Sequence, residues 1–246
     1  MKIIISPQYQ SAQSFISQLP EIFRNKGELI FKKRNEVKRF YTDYGEWIVK
    51  RYKTPNIFQQ LAYTFWRKSK AERAFLYAEK LLSLGIDTPT GIAYIEKRKG
   101  IWFDDSYFIS VACPYPPVFP LLIEKSDFDK ELADALTLFF VKLHQKGILH
   151  GDLNLDNILY HIDDKGEYQF SVIDTNRTLF KSKPTPKECL DNLIRVTHRR
   201  DLLQYIVEKY AEIRRWDAAN CTQKVIKALD KFEKKKRLKR KLRNKK

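Results

Sequence analysis

The chain has 246 residues, of which 43% are hydrophobic and 13% aromatic, so it can bury a sizeable core and wholesale disorder is excluded. Its three cysteines form no CxxC pair, which argues against a zinc site or a disulfide framework and is typical of a reducing compartment. The apolar runs fall short of the roughly 18 residues that a spanning helix needs, and the run at the start is too short for a signal peptide.

The formal net charge of +17 is concentrated near the C-terminal end. Residues 231–246 hold eleven lysines and arginines against one acidic residue, Glu233, and therefore carry +10 of that charge. A basic segment of this kind attracts polyanions, either nucleic acid or the anionic lipids of a membrane surface. A solvated, partly helical end explains the same charges equally well.

The first half of the chain is predicted to be rich in strands. A short helix is expected in an otherwise irregular start, followed by an antiparallel meander of three strands, a long helix that stops at Gly85, and two further strands. The predicted ranges are 12–19 for the first helix, 28–32, 37–41 and 47–52 for the meander, 69–84 for the long helix, and 91–96 and 107–112 for the last strands.

The second half is predicted to be mainly helical, with a loop and a small hairpin embedded in it. A proline-rich break at residues 113–117 separates the two halves. Helices are expected over residues 129–146, 188–195, 201–210 and from 221 into the basic end, and the loop and hairpin over 148–160 and 170–173. We therefore expect a β-rich domain over residues 1–112, a helical domain over 113–230 and a basic tail over 231–246.

The most informative segment reads HGDLNLDNIL from His150 to Leu159. Asp152 and Asn157 stand five residues apart, and Val172-Ile173-Asp174 follows after the predicted hairpin. One carboxylate can accept the proton of an attacking hydroxyl, while an amide oxygen and a second carboxylate suit a hard cation such as Mg²⁺. We therefore predict phosphoryl transfer with Asp152 as the catalytic base and Asn157 and Asp174 as the metal ligands.

These residues and their order resemble the protein kinase-like superfamily, whose catalytic loop has the form H-x-D-x-x-x-x-N. The resemblance implies an α+β, bilobal protein kinase-like fold with a small antiparallel β-rich N-lobe and a mainly helical C-lobe. It also implies ATP and Mg²⁺ as cofactors and a phosphate-binding lysine on the third strand, which Lys50 matches, with Lys53 or Arg51 as the less favoured alternatives. A glutamate on the following helix normally pairs with that lysine, and Glu79 is favoured over Glu72.

The chain also departs from the superfamily pattern. No G-x-G-x-x-G lies between the first two strands of the meander, so Lys33, Arg34 and backbone N–H groups are expected to contact the phosphates there. The segment after Asp174 reads T-N-R, no A-P-E follows, and little chain remains for a peptide-docking lobe. These departures favour a small-molecule or glycolipid acceptor over a protein substrate.

Within the superfamily, the chain is most similar to the lipopolysaccharide kinases of the Kdo/heptose type. The similarity lies in GEWIVK at 45–50, RKSKAERA at 67–74, LGIDTP at 84–89, SYF at 106–108, the HGDLNLDNIL loop and IDTNR at 173–177. It implies that ATP phosphorylates a sugar hydroxyl of the inner core, Kdo or heptose, attached to lipid A. Arg177, Arg199 and Arg200 are expected to contact an acidic group of that acceptor, with structural salt bridges as the alternative.

The family resemblance also predicts a location, because lipid A precursors are anionic and lie in the inner leaflet. We expect a cytoplasmic protein held peripherally on the inner face of the cytoplasmic membrane by its basic tail, with nucleic acid as the less favoured partner. The alternatives are an atypical kinase of the RIO-like or tRNA-modification-associated type and an aminoglycoside- or choline-type phosphotransferase. Outside enzymes, a pseudokinase or an electropositive binding module remains.

Overall fold

The computed structural model describes residues 1–54 and 67–243. The chain divides into two compact units, which are described separately. The first contains Met1–Pro114 together with the short segment Asp174–Arg177, and the second contains Tyr115–Ile173 and the chain from Thr178 onward. The four residues from Asp174 therefore fold with the first unit although both of their neighbours in the chain belong to the second.

The first unit is built on a six-stranded antiparallel sheet with the strand order β1-β5-β6-β4-β3-β2. Strands β2 to β4 form the predicted meander, and β5 and β6 are longer than predicted. The sequence did not indicate β1, a four-residue strand that pairs with β5 at the edge of the sheet. The strands are β1 Lys2–Ile5, β2 Glu28–Lys32, β3 Asn35–Thr42, β4 Gly45–Tyr52, β5 Gly91–Lys99 and β6 Trp102–Val111.

The two faces of this sheet pack against different helices because successive side chains of a strand point to opposite faces. Trp47 and Val49 of β4 face a core that also contains Leu19 of α1, Gln13–Ile22. Tyr52 belongs to a smaller cluster with Ala71 of α2, Lys70–Ser83. Positions 50 and 52 share a face, so Lys50 lies on the side of the sheet that carries α2.

The helix α2 has well-defined ends. Ser69 caps its N-terminus by accepting a hydrogen bond from the backbone N–H of Glu72 at 3.0 Å. Its C-terminus closes with a Schellman motif, in which Gly85 has a φ of 68° and the N–H of Ile86 reaches back to the Leu81 carbonyl at 3.0 Å. The predicted helix stop at Gly85 is confirmed. The first helix differs from the prediction, because α1 continues past Pro20 to Ile22.

The second unit is mainly helical, as predicted. Its core lies between α3 and α5 and is lined by Leu136, Phe140, Leu203 and Ile206, which are fully buried. Two short ladders interrupt the helices, the hairpin β8–β9 and the pair β7–β10. The elements are α3 Lys130–Gln145, β7 Ile148–Leu149, β8 Ile158–Ile162, β9 Tyr168–Val172, β10 Leu179–Phe180, α4 Pro186–Leu193, α5 Arg200–Ile213 and α6 Ala218–Arg243.

Gly147 fixes the chain just before the predicted catalytic loop. It ends α3 with a φ of 76°, and a Cβ atom at this position would lie 1.8 Å from the carbonyl oxygen of Lys181. The Lys181 N–H donates to the Gly147 carbonyl at 2.8 Å, which seats β10 beside β7. Only glycine combines this backbone conformation with so close an approach of another backbone segment.

The basic end of the chain continues α6 up to Arg243. Val225 and Leu229 anchor the helix in the core of the second unit, whereas Leu238 and Leu242 are exposed. Among the described residues, none of the helices is both long enough and apolar enough to cross a membrane.

Candidate active site

Lys50 and Asp174 form the centre of the site in the first unit. Lys50 lies in the middle of β4, opposite Val37 on one side and Phe108 on the other. Its ammonium nitrogen is 2.8 Å from Oδ1 of Asp174, and the two side chains are 17% and 30% exposed. The structure thus brings together a predicted phosphate-binding lysine and a predicted metal ligand as an ion pair.

The backbone at Asp174 adopts the left-handed conformation, with a φ of 58°. Such conformations are uncommon for residues other than glycine and are concentrated at functional sites. The Asn176 side-chain amide donates a hydrogen bond to the Asp174 carboxylate from a 3-10 helix, Thr175–Arg177. This short helix lies against α2 and orients the carboxylate toward Lys50.

A buried tyrosine forms the floor beneath these charges. Tyr52 is 3% exposed, and the ammonium groups of Lys50 and Lys70 lie 5.5 and 6.0 Å from its ring centroid. Burial raises the pKa of Tyr52 well above its ordinary value, and the charge of Asp174 raises it further. The hydroxyl is hydrogen-bonded to the side chain of Asn176. The floor is therefore neutral and favours cations above its ring face.

Five cations surround this floor. Burial lowers the pKa of Lys70, and the positive charges of its neighbours lower it further; these neighbours are Arg34, Arg177, Arg73 and Lys50. A cation whose proton affinity is reduced by other cations lies in a strongly positive local potential. Among the described residues, positive charge here outweighs the Asp174 carboxylate, which suits a polyphosphate group.

The structure places the other predicted residues of the first unit differently. Arg34 belongs to the cation cluster, whereas Lys33 is exposed on the β2–β3 turn with its ammonium 5.3 Å from the Phe31 ring centroid. The predicted pairing of Lys50 with Glu79 is wrong, because Lys50 pairs with Asp174 and Glu79 is exposed. The alternative, Glu72, lies 3.9 Å from Lys2 instead.

In the second unit, His150 holds the predicted catalytic loop in shape. Its Nδ1 accepts a hydrogen bond from the backbone N–H of Asp152 at 3.2 Å, so Nε2 carries the proton and donates to the Ile173 carbonyl at 3.0 Å. The Asn157 side-chain NH₂ donates to the Asp152 carbonyl at 2.9 Å. The Ile173 N–H in turn donates to the Asn157 carbonyl at 3.0 Å. Asp152 and Asn157 are thus fixed to each other and to the residue that precedes Asp174.

A buried hydrogen-bond network supports this loop from behind. The side-chain NH₂ of Asn192 donates to the His150 carbonyl at 2.7 Å, and its Oδ1 accepts from Nε2 of His144 at 3.1 Å. Nδ1 of His144 accepts from the Tyr210 hydroxyl at 2.8 Å. Burial lowers the pKa of His144 to about 4, so the network contains a neutral imidazole.

The surroundings of Asp152 include a cation that the sequence did not single out. Nη1 of Arg195 lies 3.6 Å from Oδ1 of Asp152. Both residues line a cleft of about 430 Å³ in the second unit. Its other walls come from the segment that precedes α3, the predicted catalytic loop, the segment before α5 and the helix α6; they include Phe119, Asn154, Asp156, His198, Arg199, Phe232 and Lys236.

Two of the three arginines that were predicted to contact the acceptor make structural interactions instead. Arg199 donates to the carbonyls of Leu122, Lys125 and Ser126 and to the Asp201 carboxylate. Arg200 pairs with Asp230 at 2.8 Å and with Glu233 at 3.1 Å. Arg177, the third prediction, lies in the first unit close to Lys70 and Tyr52.

Residues 124–224 match the model of the lipopolysaccharide kinase (Kdo/WaaP) family. The predicted family resemblance is confirmed. Over 94 residues, 38% of this chain, the sequence is 26% identical to the 3-deoxy-D-manno-octulosonic acid kinase of Vibrio vulnificus (strain YJ016), and the match spans 39% of that relative's length.

A solved structure of WaaP in complex with acyl carrier protein has a similar fold. The TM-score is 0.62 at 16% sequence identity, with 94% of this chain and 99% of that chain covered. The predicted fold class, an α+β protein kinase-like fold with a β-rich and a mainly helical part, is confirmed.

Proposed function

We propose that the chain is a kinase that transfers the γ-phosphoryl group of ATP to a sugar hydroxyl of the lipopolysaccharide inner core, Kdo or heptose on lipid A. The observation that carries this proposal is the family match over residues 124–224, because that range contains Asp152, Asn157 and Asp174. The ion pair of Lys50 with Asp174 supports it from the first unit.

The first unit supplies the features that a nucleotide's phosphates need. Lys50 and Lys70 present ammonium groups above the neutral ring of Tyr52, with Arg34, Arg73 and Arg177 near them. Cations fixed in this way bind a polyphosphate and stabilise the negative charge that develops during transfer. Lys70 is an addition to the predicted site residues; in the sequence it stands in the basic run at residues 67–70, at the start of α2.

The residues present also fit Mg²⁺. Because the NH₂ group of Asn157 is engaged by the Asp152 carbonyl, its amide oxygen is the end that remains for a ligand. The described residues contain no cluster of three His, Cys, Asp or Glu side chains that could hold a metal. Mg²⁺ is commonly held by one or two protein oxygens together with substrate phosphates, for which Asn157 and Asp174 suffice. When bound, Mg²⁺ neutralises charge on the phosphates.

Asp152 performs the proton transfer in this proposal. Its carboxylate accepts the proton of the sugar hydroxyl as the acceptor oxygen forms a bond to the γ-phosphorus. The bond between that phosphorus and the β–γ bridging oxygen breaks, and ADP leaves. The hydrogen bonds of His150 and Asn157 hold the Asp152 backbone, so the base is positioned before the acceptor arrives.

The deciding experiment measures transfer of labelled γ-phosphate from Mg-ATP to a Kdo-bearing lipid A precursor. We expect transfer by the wild type, a loss of about 100-fold or more in Asp152→Asn, and unchanged activity in Asp164→Asn, which removes the same charge from an exposed turn. Transfer only to an aminoglycoside, choline or protein would refute the glycolipid assignment. A wild type that neither binds ATP nor transfers phosphate would point to a binding module.

We further propose that the basic part of α6 holds the protein peripherally on the cytoplasmic face of the inner membrane. Residues 231–246 carry a net charge of +10, and each basic residue near an anionic bilayer contributes about 1 kcal/mol of attraction. Vesicles containing anionic lipid should sediment the full chain but not a chain ending at Arg237. Tighter binding of the full chain to RNA, with steep salt dependence, would favour the RIO-like alternative.

A further inference from the structure

The cleft beside Asp152 has the size and composition of a carbohydrate subsite. Its volume of about 430 Å³ falls within the range of roughly 300–1,000 Å³ that is usual for small-ligand pockets. Asp152, the proposed base, lies in its wall, and aromatic rings of Phe119 and Phe232 form part of the lining. A monosaccharide unit of an acceptor can therefore occupy it with a hydroxyl near the base, provided that the proposed reaction is correct.

The cationic side chains that line this cleft differ in how many hydrogen bonds and ion pairs they already make within the protein. Arg199 is saturated by three backbone carbonyls and by Asp201. Among the described residues, Arg195 pairs with Asp152 at 3.6 Å and lies over the ring of Phe232, and its side chain is 43% exposed. Lys236 lies in the same lining and makes no ion pair with any residue in the described parts of the chain. Arg195 and Lys236 are thus the cations that remain for a ligand.

Ring packing and hydrogen bonds fix the helix α6 where it borders this cleft, so Lys236 has a defined position. The ring of Phe232 is stacked with that of His198 at a centroid distance of 6.2 Å, and the Arg195 guanidinium lies 5.7 Å from the same centroid. Glu233 accepts hydrogen bonds from His198 at 2.9 Å and from Arg200 at 3.1 Å. Lys236 follows one turn after these contacts. The beginning of the basic segment is therefore part of the cleft wall.

We propose that Arg195 and Lys236 bind an anionic group of the acceptor, a carboxylate or a phosphate, while Phe232 positions Arg195 and packs against the sugar. This subsite rests on the proposed function. It adds a determinant of acceptor specificity, because it makes α6 part of the acceptor site. Further along α6, Arg240 and Lys241 do not line this cleft, and we assign them to the membrane surface.

Direct binding of simple sugars tests this subsite without relying on phosphate transfer. Kdo supplies a carboxylate, glucose 6-phosphate supplies a phosphate, and glucose is the neutral reference; saturation-transfer NMR and calorimetry measure each one. We expect at least one anionic sugar to bind about tenfold more tightly than glucose, and the stronger of the two identifies the group recognised. Equal binding of all three, or binding of none, would overturn the proposal.

Neighbouring lysines on α6 provide a matched comparison. Lys236→Met should weaken binding of the anionic sugar about tenfold and leave glucose unaffected, whereas Lys235→Met, which removes the same charge outside the cleft, should change neither. Phe232→Leu should weaken the same anionic sugar severalfold through Arg195. Equal losses in Lys235→Met and Lys236→Met would reduce the effect to general charge attraction and overturn the proposal.

The two hypotheses can fail separately. ATP binding is expected to be unchanged in all three variants, because these positions lie outside the cation cluster around Lys50. If the wild type binds anionic sugars through Lys236 but transfers no phosphate to the Kdo-bearing lipid A precursor, the proposed reaction is wrong and the subsite stands. If it transfers phosphate and Lys236→Met leaves the acceptor KM unchanged, the reaction stands and the subsite is wrong.

Discussion

The predicted site residues of the two units are held by different kinds of interaction. In the first unit, Lys50, Lys70 and their neighbouring arginines lie near Asp174, so positive charge exceeds negative charge among the residues described there. In the second unit, the catalytic loop is held by hydrogen bonds among neutral groups, chiefly through His150 and Asn192. Positive charge therefore dominates the described part of the first region, whereas hydrogen bonds between protein groups hold the second.

This difference predicts where mutations act. Changes in the cation cluster should alter ligand binding with little effect on folding, because the charges repel one another until an anion is present. Changes in the network behind the loop should alter folding stability first, because each lost partner leaves a buried polar group unsatisfied.

The largest effect is expected from Asn192→Leu. The change leaves the His150 carbonyl without its donor and Nε2 of His144 without its acceptor, and both lie in the interior. The free energy of unfolding should fall by about 4 kcal/mol in urea denaturation. Asp191→Ala on the same helix removes only an exposed pair with Lys187 and should cost less than about 0.5 kcal/mol. Similar losses in both variants would show that the network does not support the loop.

The next effect concerns pH and His144. This histidine has a pKa of about 4 in the folded protein against an ordinary value of 6.5, because burial disfavours its charged form. Between these values the unfolded chain binds more protons, so stability is full above pH 6.5 and is lost as the pH falls toward 4. The loss should reach about 1.4 kcal/mol per pH unit and about 3 kcal/mol in total.

The contribution of His144 can be isolated with His144→Gln, which is neutral at every pH. The variant should lose this part of the acid dependence even if its stability at pH 8 is lower. Equilibrium unfolding measured from pH 8 to pH 4 gives both slopes. Parallel curves for the wild type and the variant would mean that His144 titrates normally in the folded state.

The buried network also marks the limit of what could be predicted from the sequence. Asp152, Asn157 and Asp174 stand out because their spacing repeats a chemical pattern, and Lys50 follows from the order of the strands. Asn192 and Tyr210 lie 42 and 66 residues from the groups that they contact, His150 and His144, in ordinary helical sequence. Nothing local distinguishes such partners from solvated polar residues, since only tertiary packing brings them together.

The incorrect pairing of Lys50 with Glu79 has a related cause. Helical spacing shows that Glu72 and Glu79 share a face, but it does not show how that face is turned toward the sheet. The left-handed backbone at Asp174 turns this carboxylate to Lys50 and provides the partner that the helix was expected to supply. The edge strand β1 was missed because four residues are too few to show a period.

In the cation cluster, Lys50→Met should weaken ATP binding about 30-fold and change the free energy of unfolding little. A charge-assisted hydrogen bond contributes about 2 kcal/mol, and the repulsion with Lys70 that the change relieves offsets the lost ion pair with Asp174. Calorimetric titration with Mg-ATP measures the affinity. Lys53→Met, on the same part of the chain but paired with Glu36, is the control and should bind normally. Equal weakening in both would leave Lys50 with no specific role.

The smallest effect is expected from Tyr52→Phe, which keeps the ring beneath Lys50 and removes only the hydroxyl that is bonded to Asn176. Losing one such hydrogen bond should cost about 1 kcal/mol of stability in urea denaturation. Tyr107→Phe removes a hydroxyl from another buried tyrosine of the same sheet, one without a hydrogen bond to any residue that the structure describes, and should cost less than about 0.5 kcal/mol. A larger loss in Tyr52→Phe than in Tyr107→Phe would show that a neutral hydrogen bond orients the Asp174 segment within the charged region. Equal losses would mean that the ion pair with Lys50 alone fixes Asp174. Charge would then hold the first region and neutral hydrogen bonds the second.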